Sequence, residues 1–221
     1  MKNKTALFAL VAVAGLTAAG TAWVYPQLPA VVVTHWNVRG APNGTMSRAW
    51  GAWLPMGLMV GLAALLWVVP YIDPRRQNYA AFRKVYNLFV VGMVVFLAYV
   101  QALSLAWNLG YHLPLAQMLA PALGGVFLAV GRLLQAARPN WFVGIRTPWT
   151  LSSPSVWRKT HRVGVWVFFL AGVVMFAGAM WEPALWVSVG LVGMGSLAVV
   201  VYSWAAYERE RRSAPPPSRD I

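Results

Sequence analysis

Long apolar stretches separated by short polar ones dominate this chain. Six of them, Thr5–Tyr25, Trp50–Val69, Leu88–Trp107, Leu115–Leu134, Val163–Met180 and Ala184–Tyr202, hold one charged residue between them, Arg132. At about 1.5 Å of rise per residue, each is long enough to cross about 30 Å of hydrocarbon as a helix. Arg132 lies close enough to a span end for its side chain to reach the interface. Trp23, Tyr25, Trp50, Trp53, Trp107, Tyr111, Trp181 and Trp186 crowd the span ends, as interfacial aromatic belts do. The pattern predicts an all-α fold: a polytopic membrane bundle of six transmembrane helices.

Composition supports that class, and charge orients it. Only 10% of the residues are charged, against about 25% in soluble domains, too few to cover a water-soluble surface. Lys and Arg number 18 against 5 Asp and Glu, a net +13. Sixteen of those cations fall on one side of the predicted bundle, and only Arg39 and Arg48 on the other. The positive-inside rule then places both termini in the cytoplasm, in a multi-pass protein of the cell membrane. Because the cations are dispersed between apolar spans, they suit anionic headgroups of the lipid bilayer, and direct nucleic-acid binding is not expected. The first span, preceded by Lys2 and Lys4, is too apolar for too long to be a cleaved signal and reads as retained. Residues 1–107 form one three-span half, 108–212 a second, and 213–221, with three consecutive prolines, a disordered tail.

The chain is poor in catalytic chemistry. It has no Cys, hence no disulfide and no thiolate site. None of the five acids lies in mid-membrane, so a carboxylate-driven pump is not expected. Phosphate-cradling, zinc-protease and nucleophile-elbow motifs are missing from the sequence. The expectation is a non-enzyme without cofactor or metal: His35, His112 and Glu182 share the outer face but come from separate loops. Gln101, Ser104 and Asn108 share one face of the third span and read as interhelical hydrogen-bonding groups. Gly57-x-x-x-Gly61, and the glycines 190, 193 and 195, read as helix contacts inside the bundle, with a homo-oligomer left open.

Two loops depart from ordinary connectors. The outer one runs Val31-Val-Val-Thr-His35-Trp36-Asn37-Val38-Arg39-Gly40-Ala41-Pro42-Asn43-Gly44. Its Val run is a short strand or an interfacial segment, followed by turn formers. The cytoplasmic one, 138–162, alternates aromatics, cations and turn residues, as a folded cap at headgroup level would. Its candidate partner- or headgroup-binding residues are Asn140, Gly144, Arg146, Thr147, Pro148, Trp149, Ser152, Trp157, Arg158, Thr160, His161 and Arg162. Arg146, beside Trp149 and Trp157, has five donors to place on loop carbonyls or phosphates. Ser153-Pro154 is a helix N-cap and first position. Trp157, His161 and Gly164 then share one helix face, and Arg158 and Arg162 another, suited to a lipid phosphate or a partner's acid.

The run Gly144-Ile-Arg-Thr-Pro-Trp-Thr-Leu-Ser-Ser153, with Trp157, Thr160, His161, Arg162 and Gly164 after it, resembles the signature of the SdpI family of bacterial membrane proteins. The outer Pro29…His35-Trp36-Asn37…Gly40…Pro42 pattern resembles a domain of unknown function commonly fused ahead of that signature. This chain has Pro154-Ser155 where the family usually carries acids, and Asn43 where it usually carries Asp. The resemblance implies an immunity or sensor protein that resists a secreted membrane-active peptide toxin and recruits a cytoplasmic transcriptional repressor. The outer residues His35, Trp36, Asn37 and Gly40 would then face the peptide. The alternative is a small transporter or a lipid-headgroup-binding membrane protein.

Overall fold

The computed structural model describes residues 2–37 and 40–213. Its order is α1 (Asn3–Val24), β1 (Val31–Trp36), β2 (Pro42–Ser47), α2 (Arg48–Ile72), α3 (Arg83–Asn108), α4 (Leu115–Ala136), α5 (Pro148–Ser152), α6 (Pro154–Ala177) and α7 (Pro183–Ser213). Short 3₁₀ turns cover Tyr25–Gln27 and Arg76–Ala81. The six long helices are each long and apolar enough to cross a membrane, and each contains most or all of one predicted span. Helix α7 runs past its apolar stretch into Glu208, Arg209, Glu210, Arg211 and Arg212, where Arg211 pairs with Glu208 at 2.9 Å. Ser213 lies in that helix as its last described residue rather than in the expected tail, and residues 214–221, the rest of that tail, lie outside the described residues.

Helices α1, α2 and α3 pack on one another, α6 lies between α4 and α7, and α3 meets α4 to join the two groups. The closest backbone packing is between α4 and α6. A Cβ on Gly124 would meet the Gly172 carbonyl at 3.0 Å, and one on Gly172 would meet the Gly124 carbonyl at 3.0 Å. Small residues here bring the two backbones into direct contact, the main source of helix attraction where lipid removes the hydrophobic drive.

One expectation is refined and one corrected. The fold is mostly helical, and to its helices β1 and β2 add an antiparallel hairpin, with Val31 opposite Ser47, Val33 opposite Thr45 and His35 opposite Gly44. The β-branched run Val31–Thr34 favours extended chain, and an irregularity between Val33 and His35 shifts the register. Gly57 and Gly61 do not pack inside the bundle; a Cβ on either would meet open space. The inward face of α2 is set by Ala52, Met59 and Val69, and Gly57 lies two residues from Met59, about 200° around the helix. Gly190 and Gly193 are likewise open, whereas Gly195 packs on Val167.

The polar face of α3 bonds between elements as expected. Gln101 donates to the Ala52 carbonyl at 2.9 Å. Asn108 receives the Val33 N–H at 2.7 Å and donates to the Val33 carbonyl at 2.9 Å. That side-chain amide pairs with β1 as a neighbouring strand's backbone would, fixing the hairpin to the end of α3.

Candidate functional site

The sequence-predicted residues gather at opposite ends of the bundle, in a cationic cap and around the hairpin.

The cap begins where α4 ends. Asn140 is fully buried and both polar atoms of its side chain are bonded. Its Oδ1 accepts the N–H groups of Phe142 (2.9 Å) and Val143 (2.6 Å), and its Nδ2 donates to the carbonyls of Arg138 and Val143, both at 2.8 Å. Such local bonding is how Asn sets a tight turn.

A second connector, between α2 and α3, is tied into this turn. Asp73, 2% exposed, accepts the Arg75 N–H at 2.7 Å, the Trp141 N–H at 2.9 Å and the Tyr79 hydroxyl at 3.1 Å. The Tyr79 hydroxyl also lies 3.2 Å from Asn140 Oδ1. Burial, and then the neighbouring Asp73, push the Tyr79 pKa well above its ordinary value, which keeps it a donor. Asn78 donates to the Pro139 carbonyl at 2.6 Å, and the Arg75 guanidinium sits 5.7 Å above the Trp141 ring. None of these four connector residues was among the predicted site residues. The available signal was Asp73 itself, the sole acid in the first 181 residues of a strongly basic chain.

Gly144 shows why a glycine stands in the motif. Its φ is +112°, and a Cβ would run into His161 Nε2. The next residue, Ile145, donates its N–H to that nitrogen at 3.2 Å, while His161 Nδ1 lies 2.9 Å from the Trp157 carbonyl. A lone pair is thus required at Nε2 and a proton at Nδ1, so the two backbone groups select one neutral tautomer. His161 stacks on Trp157 with centroids 4.0 Å apart, and Trp157 donates to the Ala137 carbonyl at 3.1 Å.

Two caps then follow in series. Thr147 accepts the Thr150 N–H at 3.2 Å, Thr150 Oγ1 accepts the Thr147 N–H at 2.9 Å, and Pro148 opens α5. Thr147 Oγ1 also sits 3.0 Å from Ser203 Oγ, linking α5 to α7. Ser153 accepts the Val156 N–H at 3.2 Å at the start of α6, as predicted, and donates to Glu210 Oε1 at 2.5 Å. A carboxylate therefore does reach the N-terminus of α6, where the helix dipole favours it. It comes from α7 rather than from positions 154 and 155.

The predicted cap residues divide by exposure. Asn140, Thr147, Trp157, Thr160 and His161 are buried and shape the cap from within, with Gly144 half-buried beside them. Arg146, Pro148, Ser152, Arg158 and Arg162 are exposed and Trp149 half-exposed, so these make its surface. Arg146 donates to the Trp141 carbonyl at 2.7 Å, the loop-carbonyl bond expected of it. The arginines 158 and 162 line a cleft of about 380 Å³ between α4 and α6, together with Arg138.

At the other end, Asn37 closes the hairpin turn. It accepts the Ala41 N–H on Oδ1 at 3.0 Å, and its carbonyl accepts the Gly40 N–H at 2.9 Å, with Gly40 at φ +75°. Arg39 lies outside the described residues. His35 Nδ1 is 2.6 Å from Asn43 Oδ1, so an amide oxygen serves where the resembled pattern has Asp. Trp36 packs edge-on against Trp107, and Trp107 edge-on against His112, with centroids 5.7 and 4.8 Å apart. His112 and Glu182 share the walls of a cavity of about 280 Å³ with Gly40, Trp107 and Gln117. His35 turns instead to Asn43. Among the described residues, no group of three His or acidic side chains converges as a metal site would require.

Comparison with known proteins covers both ends. The SdpI/YfhL protein family matches residues 136–203, and a domain of unknown function, DUF1648, matches residues 12–60. The Immunity protein SdpI of Bacillus subtilis (strain 168) is 26% identical over 115 residues, 52% of this chain and 55% of that protein. The match thus spans about half the length of that relative. No solved structure matches the chain.

Proposed function

We propose a function from one premise: this membrane protein carries an SdpI/YfhL family region at residues 136–203, preceded by a DUF1648 region at residues 12–60. On that premise it is an immunity protein that gives resistance to a membrane-active peptide toxin. Its hairpin end faces outward and its cationic cap, with both termini, faces the cytoplasm. The observation that carries the reading is the hairpin-end cavity. It joins the Gly40 turn to Trp107, His112 and Glu182, offering aromatic faces and one acid to an arriving peptide.

The cap is the second contact surface in this reading. Its exposed Arg146, Pro148, Trp149 and Ser152 would engage a cytoplasmic repressor. Helix α3 is one element that links the ends: Asn108 holds β1, while Tyr86 at its start packs edge-on against Tyr79 of the cap, centroids 5.5 Å apart. Signalling between the ends requires two packings of such an element with different affinities for the two partners.

Solute transport is the weaker reading. The polar-lined cavities lie at the two ends, whereas a cavity between α3 and α4 at mid-helix depth is walled by Phe89, Met93, Phe96 and Val126.

The test is survival of sensitive cells expressing the full chain, across a panel of membrane-active peptides. Protection against at least one peptide is expected, with His35→Ala plus Trp36→Ala reducing it. No protection across the panel, with the protein present in the membrane, would refute the immunity reading.

A further inference from the structure

The cleft between α4 and α6 is lined by three arginines and by no acid among the described residues. Arg138 follows the end of α4, and Arg158 and Arg162 stand one turn apart on α6; all three are exposed and line the cleft. Arg132, bonded to Gln135 at 3.0 Å, extends the patch, and Gln135 is itself a lining residue. Among the described residues the one ion pair is Arg211–Glu208, away from this cleft. Glu210, the acid that reaches the start of α6, is engaged by Ser153. Three arginines thus line one cleft with no carboxylate among its lining residues, an arrangement that suits phosphate oxygens with forked donors.

The rest of the cleft selects the kind of phosphate. Below Arg162 the same face of α6 turns apolar within one turn, with Val165 and Trp166, and Leu134 faces them from α4. Trp166 is 60% exposed and packs edge-on to Phe169, 5.9 Å away. Charge followed along a helix by an exposed apolar wall reproduces the order of headgroup and acyl chain. A soluble acidic protein would meet the arginines but not a wall lying at hydrocarbon depth. Free phosphate would have no use for that wall.

We infer that this cleft binds an anionic phospholipid of the leaflet beside the cationic cap, phosphate on Arg138, Arg158 and Arg162 and one acyl chain along Val165 and Trp166. The bound lipid lies beside His161 and Trp157, which form the inner side of the cleft, and so braces the cap from the membrane. The site does not depend on resistance to any peptide.

The test is native mass spectrometry of the full chain in neutral detergent, titrated with phosphatidylglycerol and, separately, phosphatidylcholine. Basic residues near a membrane surface each strengthen binding about fivefold, so Arg158→Ala with Arg162→Ala should weaken phosphatidylglycerol binding roughly 25-fold. Arg209→Ala with Arg212→Ala removes the same charge away from the cleft and should stay within about twofold of the parent protein. Trp166→Ala, at an exposed position, should weaken phosphatidylglycerol binding, and millimolar inorganic phosphate should not displace the lipid from the parent protein. Equal losses in the two arginine pairs, equal binding of phosphatidylcholine, displacement by millimolar inorganic phosphate, or no effect of Trp166→Ala would each overturn the proposal. So would an acidic soluble protein that binds the cleft in preference to phosphatidylglycerol.

Discussion

Replacing Asp73 should loosen the cap in a graded way that its hydrogen bonds allow to be worked out. Asp73 accepts three donors, the Arg75 N–H, the Trp141 N–H and the Tyr79 hydroxyl, at 2.7, 2.9 and 3.1 Å. In Asp73→Ala the three donors fare differently. The Tyr79 hydroxyl can turn fully to Asn140 Oδ1, already 3.2 Å away. The Arg75 and Trp141 bonds are both only partly buried, so water can reach either donor once the carboxylate is gone. Each bond lost costs about 0.5–1.5 kcal/mol, and the two together about 2 kcal/mol. Asp73→Asn keeps one acceptor oxygen on the Trp141 and Tyr79 side and loses one bond, about 1 kcal/mol. A thermal melt of the detergent-solubilised protein should fall by about 4–8 °C for Ala and by roughly half of that for Asn. Hydrogen exchange should quicken first at residues 139–145. Equal melts for parent, Asn and Ala proteins, or faster exchange confined to the hairpin, would refute the assignment of Asp73 as the tie between the two connectors.

Gly144→Ala places a methyl group against His161 Nε2 on backbone at φ +112°, so the same melt should drop by several degrees, with the Ile145 amide losing exchange protection. Asn108→Ala removes both bonds to Val33; protease cleavage within the hairpin should rise while the melt of the bundle changes by about 1–2 kcal/mol in stability. Cysteines introduced at Asn43 and Glu182 should react with an impermeant thiol reagent applied to intact cells, and one at Ser152 should not. Labelling at Ser152 from outside would reverse the proposed orientation. The chain's lack of native Cys leaves no background in that assay.

What the sequence determined by itself is whatever depends on neighbours along the chain. The six spans were legible because hydrocarbon admits only helices whose backbone groups are satisfied internally, a demand met within each segment. The Ser153-Pro154 cap and the shared face of Trp157, His161 and Gly164 were legible for the same reason, since three- and four-residue spacing fixes both. The Val31–Thr34 run left strand and interfacial segment open, and pairing with β2 and Asn108 decided between them. Only the tertiary structure could bring Asp73 to Trp141, 68 residues apart, or Glu210 to Ser153, 57 apart. The same holds for the meeting of Arg138 with Arg158 and Arg162, and for the outward turn of Gly57 and Gly61. A buried polar group must be paired, but its residue type does not say with what. That choice belongs to the path of the chain, which here folds two distant connectors into one cap and sets three arginines on the rim of one cleft.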